Sequence, residues 1–461
     1  MAAPRPVELE LKDVPHSDPL DTIRLGSRLI SSKVGLIKAV GHGLYYAQDP
    51  VTLSMGIVGP DLSRFSDILN PTKAGGGGED VAMAMAATIG EAAERYCMLF
   101  FDKREMVLAS HRELKGDAVS PDLLRLYSRE QIERRNAAGG RREYFTEDSK
   151  VYWVWGYSLT SKRPRLVPAS LVYMNYTFDD DEVPIGRNAS SGLAAGLTLE
   201  EAILTGLYEV VERDAYASCW LHRKVGPRIV VDDAELQKML NERYYADHPS
   251  VDLRIFDITL DIPIPSVFAF MRRPAEFGPA LCVSSVTRLN KKDLIRKTLR
   301  EVGQGLPYVR FLMPQLKDWE PSPDHTDLTS FDHHCMLYNK RPDLVDGALA
   351  FCYEMKEEVP LSQIPDRSTG RVKGDIEVCL DLLRQRGLEV IVTEITTPDI
   401  RDVGLRVVRV MIPGLVPLHG NHNFPYLGVS RLYELPRMLG WEKSGWRPPE
   451  GGINPLPHPF P

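Results

Sequence analysis

The chain's apolar positions change period several times, and each change predicts an element. From Glu79 to about Phe101 a mostly apolar stretch, Val81 to Ile89, runs into polar positions spaced three and four apart, which predicts a long buried helix opened by the glycine run Gly75 to Gly78. A second buried helix is predicted where Ala202, Ile203, Leu204, Leu207, Tyr208, Val210 and Val211 lead into Ala215, Tyr216, Ala217, Cys219 and Trp220. A third, with charged and apolar positions interleaved, is predicted from Lys291 to Gln304. Strand patterns are expected between about residues 20 and 60, joined by the turn Gly41-His42-Gly43 and running through Leu44, Tyr45 and Tyr46. Others are expected at Val151 to Gly156, Val167 to Tyr176, in residues 226 to 290 ending at Cys282 to Val286, at Leu388 to Thr393 and at Arg406 to Met411. Between Ser110 and Lys150, charge with Arg134, Arg135, Arg141 and Arg142 around Gly139-Gly140 predicts a peripheral helix and loop with a solvated face. Strands and helices mix without regular βαβ alternation, so the expected class is α+β.

With 461 residues the chain can form one large elaborated domain or two closely packed ones. A formal charge of -7 leaves no basic footprint for nucleic acid, and the sequence holds neither an apolar signal core nor a bilayer-spanning run. A cytoplasmic protein with no nucleic-acid or membrane partner is expected. Six cysteines are widely spread with no Cys-x-x-Cys pair, so reduced, mostly buried thiols are expected. Asp332-His333-His334-Cys335 spells the signature of membrane palmitoyltransferases without their cysteine-rich and transmembrane surroundings, and is taken as coincidence. His419 and His422 could ligate a metal, but no third ligand lies close in sequence, and a structural loop is the favoured reading.

The candidate chemistry sits on the first two helices. Glu91-Ala-Ala-Glu94-Arg95 and Glu209-Val-Val-Glu212-Arg213 each lie thirteen residues after a glycine-rich run that ends at Gly78 or Gly196. Glutamates three apart and an arginine four after the first project from one helix face. Glu201, eight before Glu209, extends the second ridge by two turns. If the ridges converge, two bare carboxylates about 4 Å apart repel by roughly 4 kcal/mol at a protein-like effective dielectric, so a cation belongs between them. Oxygen donors suit magnesium, which takes phosphate oxygens as further ligands, and arginine suits phosphate as a forked donor. The competing reading is two surface helices carrying ordinary Glu/Arg contacts. The tail carries Pro448, Pro449, Pro455, Pro457, Pro459 and Pro461, which favours an extended polyproline conformation.

These motifs resemble the YcaO family of ATP-dependent enzymes that activate backbone amides. The likeness rests on Ala86 to Tyr96, on Ser190-Ser-Gly-Leu-Ala-Ala-Gly196 with Glu201 to Asp214, and on Arg296 to Gln304. It implies a YcaO domain over residues 25 to 442, after an N-terminal extension of residues 1 to 24 and before a proline-rich tail of residues 443 to 461. It further implies Mg2+ held by Glu91, Glu94, Glu201, Glu209 and Glu212, and ATP phosphates faced by Arg213 and Arg296 with Ser190, Ser191 and Gln304 nearby. Ser32 matches an N-terminal nucleotide contact more weakly. Pro-His-Pro-Phe-Pro (residues 457 to 461) is similar to the tail of the azoline-forming branch, which implies that the Pro461 carboxylate reaches the active site as proton acceptor; Ile412 to Pro417 resembles the stretch before that tail. Ala87, Leu197 and a glycine run without lysine, although Lys73 is close, depart from the family pattern at polar nucleotide contacts.

The expected activity is cyclisation of Cys, Ser or Thr onto the preceding amide of a ribosomal precursor peptide. Thioamide or amidine formation and a non-catalytic scaffold are the alternatives. The expected partners are the peptide, a separate leader-binding protein resembling ubiquitin-activating enzymes, and a second copy of the chain; a flavin dehydrogenase acting afterwards is left open.

Overall fold

In this computed structural model, residues 8–43, 53–58, 74–114, 116–187, 189–244, 248–274, 280–444 and 452–461 are described. Leu44 to Tyr46, Lys73, Pro448 and Pro449 lie outside them. The described strands are β1 (Ala39–His42), β2 (Leu53–Val58), β3 (Gly75–Gly78), β4 (Val107–Ala109), β5 (Val151–Ser158), β6 (Arg163–Pro168), β7 (Leu193–Gly196), β8 (Arg228–Val230), β9 (Asp252–Asp257), β10 (Ser266–Arg272), β11 (Leu281–Thr287), β12 (Glu358–Pro360), β13 (Ile391–Glu394) and β14 (Arg406–Met411). They form three sheets, ordered β1-β2-β3, β4-β5-β13-β14-β7 with β6 beside β5, and β11-β10-β9-β8-β12. Every pairing is antiparallel except β12 with β8. This is the expected α+β arrangement.

Two helices carry the cassettes, Val81–Cys97 and Leu199–His222, and a third long helix spans Lys291–Gln315. The first cassette helix buries Ile89, Ala92, Ala93 and Cys97 in the core under the β4-to-β7 sheet, together with Val407 and Met411 of β14. The second joins two cores. Its N-terminal half packs Ile203, Leu204, Leu207 and Val211 against Val408 and Val410 on the opposite face of β14. Its C-terminal half packs Tyr216, Trp220 and Leu221 against Phe268 and Phe270 of β10. Glu209, Glu212 and Arg213 therefore stand where the two sheets meet. The third long helix buries Leu294, Ile295, Leu299 and Val302 on the other face of β10, against Val267, Ala269 and Met271. That two-residue alternation is the strand period.

Several elements differ from the pattern-based expectation. Residues Pro19–Gly26 are helical rather than strand, because Asp18 caps the helix by accepting from the Leu20 N–H and Pro19 starts it. Gly75–Gly78 is a strand rather than a turn. A Cβ on Gly76 would stand 2.5 Å from the Thr88 nitrogen and one on Gly78 2.3 Å from the Ala84 nitrogen, so only bare backbone can lie this close to the helix. The stretch predicted as a strand from Val167 leaves the sheet at Pro168 and turns into a short helix, Ala169–Val172. The third long helix continues past Gln304 through Pro307, whose missing N–H is tolerated beside buried Leu306, Val309 and Leu312. None of the six cysteines is in a disulfide, and all are buried. No helix among the described residues is long and apolar enough to cross a membrane.

Candidate active site

Each cassette is aimed by the glycine-containing segment beside it. Glu91 accepts a 2.8 Å hydrogen bond from the Gly75 N–H and pairs through its other oxygen with Arg95 at 3.1 Å. Gly75 is gripped at both ends, since its carbonyl accepts from Gln304 Nε2 at 3.3 Å. Glu94 reaches across to the second half and accepts from the Ala195 N–H of β7 at 2.9 Å. Glu209 accepts from the Gly192 N–H at 3.3 Å and Glu212 from the Thr287 N–H at 3.1 Å. Gly192 can do this because its φ of +85° is open to glycine, and a Cβ there would lie 2.2 Å from the Val410 carbonyl oxygen. Arg213 binds both glutamates of its own cassette, Glu209 at 3.4 Å and Glu212 at 3.3 Å. Four carboxylates thus have one oxygen fixed by a backbone donor, an arrangement that orients the group before any ligand arrives.

The electrostatics show that the ridges converge. Burial, reinforced by repulsion from Glu209 and then Glu91, pushes the Glu94 carboxyl up to about 8. Glu212 is also raised, by burial first, with Glu301 and Glu209 adding repulsion that Arg213 and Lys297 oppose. Burial disfavours the charge on Arg95 and Arg213, but the surrounding glutamates more than restore it. A carboxylic acid that holds a proton near neutrality for want of a cation is a good oxygen donor for Mg2+. Glu91, Glu94, Glu209 and Glu212 supply donors of the chemical kind that ion takes.

Glu201 already has partners within the chain. Its carboxylate is occupied at the start of the second cassette helix, in a capping box with Thr198, and it accepts from the N–H and hydroxyl of Ser17 at 2.7 and 2.8 Å. With Glu200, which accepts from the Lys12 N–H at 2.7 Å, it ties residues 8 to 18 to the second cassette helix. Arg296 is paired with Glu79 at 3.6 Å and with Glu235. Its neighbour Lys297 faces the cluster instead and pairs with Glu301. Lys297 and Glu301 were missed by sequence reasoning, though their spacing from Gln304, seven and three residues along one helix face, carried the signal.

Ser191 lines a cleft beside Arg213 with Val210, Ile412, Pro413 and Val416. Ser190 closes the turn into β7 through its carbonyl, which accepts from the Leu193 N–H at 2.8 Å. Ser32 is exposed in a turn of the N-terminal segment, and no hydrogen bond joins it to the glutamates. Sequence reasoning also missed Arg409, hidden in a strand pattern at the inward position between Val407 and Met411. It donates through Nη2 to the Leu171 and Ala189 carbonyls at 3.0 and 2.7 Å, while Nε and Nη1 are buried without a hydrogen-bond partner. Burial lowers it to about 10 and Glu209 opposes that fall.

The proline-rich tail threads to this place. Asn454 bonds the Trp220 and Leu221 carbonyls, Trp220 Nε1 donates to the Leu456 carbonyl at 3.0 Å, and the Tyr338 hydroxyl donates to the Pro457 carbonyl. Phe460 then lies against Tyr216, with ring centroids 4.9 Å apart, and covers the Arg213 guanidinium at 4.3 Å. Pro461 is next, exposed.

The chain resembles known proteins in sequence and in fold. Residues 75–416 match the family model described as YcaO cyclodehydratase, ATP- and Mg2+-binding. An uncharacterized protein of Methanothermobacter thermautotrophicus is 30% identical over 273 residues, 58% of this chain and 66% of that protein. Among solved structures, a heterocyclase in complex with substrate and cofactor superimposes with a TM-score of 0.76 at 24% identity, over 98% of this chain. The chain spans only 59% of that heterocyclase. The YcaO protein of Methanopyrus kandleri, bound with AMPPCP and Mg2+, superimposes with a TM-score of 0.59 at 21% identity over 87% of this chain and 91% of its own. With paired acidic helices set on glycine-bearing strands and a family match across most of its length, the chain belongs to the YcaO family, whose domain binds ATP and Mg2+.

Proposed function

We propose that this protein is an ATP-dependent cyclodehydratase that converts Cys, Ser or Thr of a ribosomally made peptide into thiazoline or oxazoline rings. The observation that carries the proposal is the seating of Phe460 on Arg213, which brings the tail to the acidic cluster. ATP, with Mg2+ neutralising its phosphates, supplies the phosphoryl group that turns an amide oxygen into a leaving group.

The chain's own residues have three tasks. Glu91, Glu94, Glu209 and Glu212 hold the cation-binding face rigid through their backbone donors, and Arg213, with Lys297 close to Glu212, balances charge around the phosphates. The cleft between Ser191 and Val416 positions the peptide so that its side-chain nucleophile faces the preceding carbonyl. The Pro461 carboxylate takes the nucleophile's proton. Attack forms a carbon–sulfur or carbon–oxygen bond, the carbonyl oxygen takes the phosphoryl group, and its departure as phosphate together with loss of the amide proton leaves the ring C=N bond.

A leader-binding protein delivers the peptide, and the chain works as a homodimer. The test is mass spectrometry of a precursor peptide encoded beside the gene, incubated with the protein, its partner, Mg2+ and ATP. Loss of about 18 Da per ring, matched by released phosphate, supports the proposal. Turnover of ATP without mass loss would overturn azoline formation.

A further inference from the structure

Five histidines that the acidic site does not use gather behind the tail. His334 comes from the helix Phe331–Lys340, His419 and His422 from the loop after Pro417, and His458 from the tail, with His325 against His422 at 6.1 Å between ring centroids. One ligand nitrogen from each of His334, His419 and His422 lies within 4.8 Å of the other two.

The hydrogen bonds define which nitrogens are free. His334 Nδ1 lies 2.9 Å from the His458 carbonyl oxygen, which can only accept, so Nδ1 carries the proton and Nε2 the lone pair. That Nε2 is buried without a partner, as are His419 Nδ1 and His458 Nδ1. The His334 ring is 0% exposed and His419 5%. A buried polar atom left unpaired costs about 1–3 kcal/mol, and two such atoms on the neighbouring rings of His334 and His419 need a common explanation. A hydrogen-bond network does not provide one, since the free atoms of His334 and His419 find no donor.

We propose that His334, His419 and His422 bind a divalent transition-metal ion, zinc being the best fit, with one coordination position left for water. An all-imidazole set selects zinc, copper or nickel over magnesium, so this site is chemically separate from the glutamate cluster. Zinc–nitrogen bonds of about 2.0–2.1 Å put tetrahedral ligands about 3.4 Å apart, a closure that small side-chain rotations supply. The His334 ring is oriented by the carbonyl of His458, and His458 Nε2 bonds the His419 carbonyl at 2.7 Å. The first of these is the outer-shell bond that metal-binding histidines use, and the second holds the tail in place beside it. The ion would thereby clamp the tail two residues before Phe460.

The full chain, stripped with chelator and equilibrated with Zn2+ in excess Mg2+, is expected to retain one zinc per chain. Cobalt in its place should give the intense visible bands of a four-coordinate nitrogen site, and His422→Asn, at the least buried ligand, should lose both. X-ray absorption on the unmutated protein gives the same answer if that variant fails to fold, through imidazole scattering around the zinc. No retained zinc, undiminished retention in a folded His422→Asn protein, or a weak six-coordinate oxygen spectrum would each overturn the proposal.

Discussion

Arg213 lies 4.3 Å beneath the Phe460 ring while its guanidinium holds Glu209 and Glu212. One side chain thus connects the tail to the acidic ridge. A cation over an aromatic face in a partly dry site contributes about 0.5–2 kcal/mol. Phe460→Ala should therefore slow cyclisation by roughly 3- to 30-fold, with ATP affinity little changed. Single-turnover mass spectrometry and nucleotide titration separate the two effects.

Glu94 is a half-buried acid whose carboxyl is raised to about 8 by desolvation first and then by repulsion from Glu209 and Glu91. Glu94→Gln keeps the shape and the bond to Ala195 but removes the charge. Mg2+-dependent nucleotide affinity should fall at least about tenfold, a loss of about 1.4 kcal/mol, whereas the ligand-free protein at pH 9 should melt at a higher temperature. Calorimetric titration and thermal unfolding measure the two opposed shifts.

The same carboxyl predicts a pH dependence. Its value rises from 4.5 in the unfolded chain to about 8 in the folded one, so between those limits the folded state binds more protons. Its contribution to stability is complete below about pH 4.5 and is lost as pH climbs through about 8. Binding Mg2+ and nucleotide at pH 7 should expel a proton from Glu94. Binding enthalpies measured in phosphate and in Tris, which ionise with different heats, should differ accordingly; equal enthalpies would count against it.

Glu201 caps a helix and anchors Ser17. Glu201→Ala should cost about 1 kcal/mol of stability, the usual size of a lost cap, and leave nucleotide affinity within about twofold once the protein is folded. A tenfold loss of affinity with an unchanged melting temperature would make it a ligand after all.

Lys297 and Arg296 are adjacent but point apart, one toward Glu301 and Glu212 and the other toward Glu79 and Glu235. Lys297→Gln should reduce turnover by about tenfold or more, the scale of one lost charge-assisted contact. Arg296→Gln should have a smaller effect. Paired steady-state kinetics give the comparison.

Much of this architecture was legible because the cassette helices are long and their apolar faces continuous, from Ile89 to Cys97 and from Ile203 to Leu221. Pattern fails where packing overrides local preference. Four glycines look like a turn, yet β3 is a strand because the helix beneath admits no side chain. Arg409 looks like an outward charge, yet its strand is covered on both faces. Glu201 has the right chemistry and the right helical phase, and pattern gave no sign that its carboxylate also caps a backbone terminus. His334 stands far in sequence from His419 and His422, so only the folded chain shows all three together.

The bond from Ala195 to Glu94 has a consequence for how the molecule comes apart. A carboxylate from the first half of the chain is satisfied by an amide from the second, and it is repelled by Glu209 from that same half. Neither half has a finished interior without the other, for this part-buried bond and the packing around it cross from one half to the other. The ATP-binding region should therefore melt in a single cooperative step and resist division into stable fragments, whatever loop is chosen for the cut.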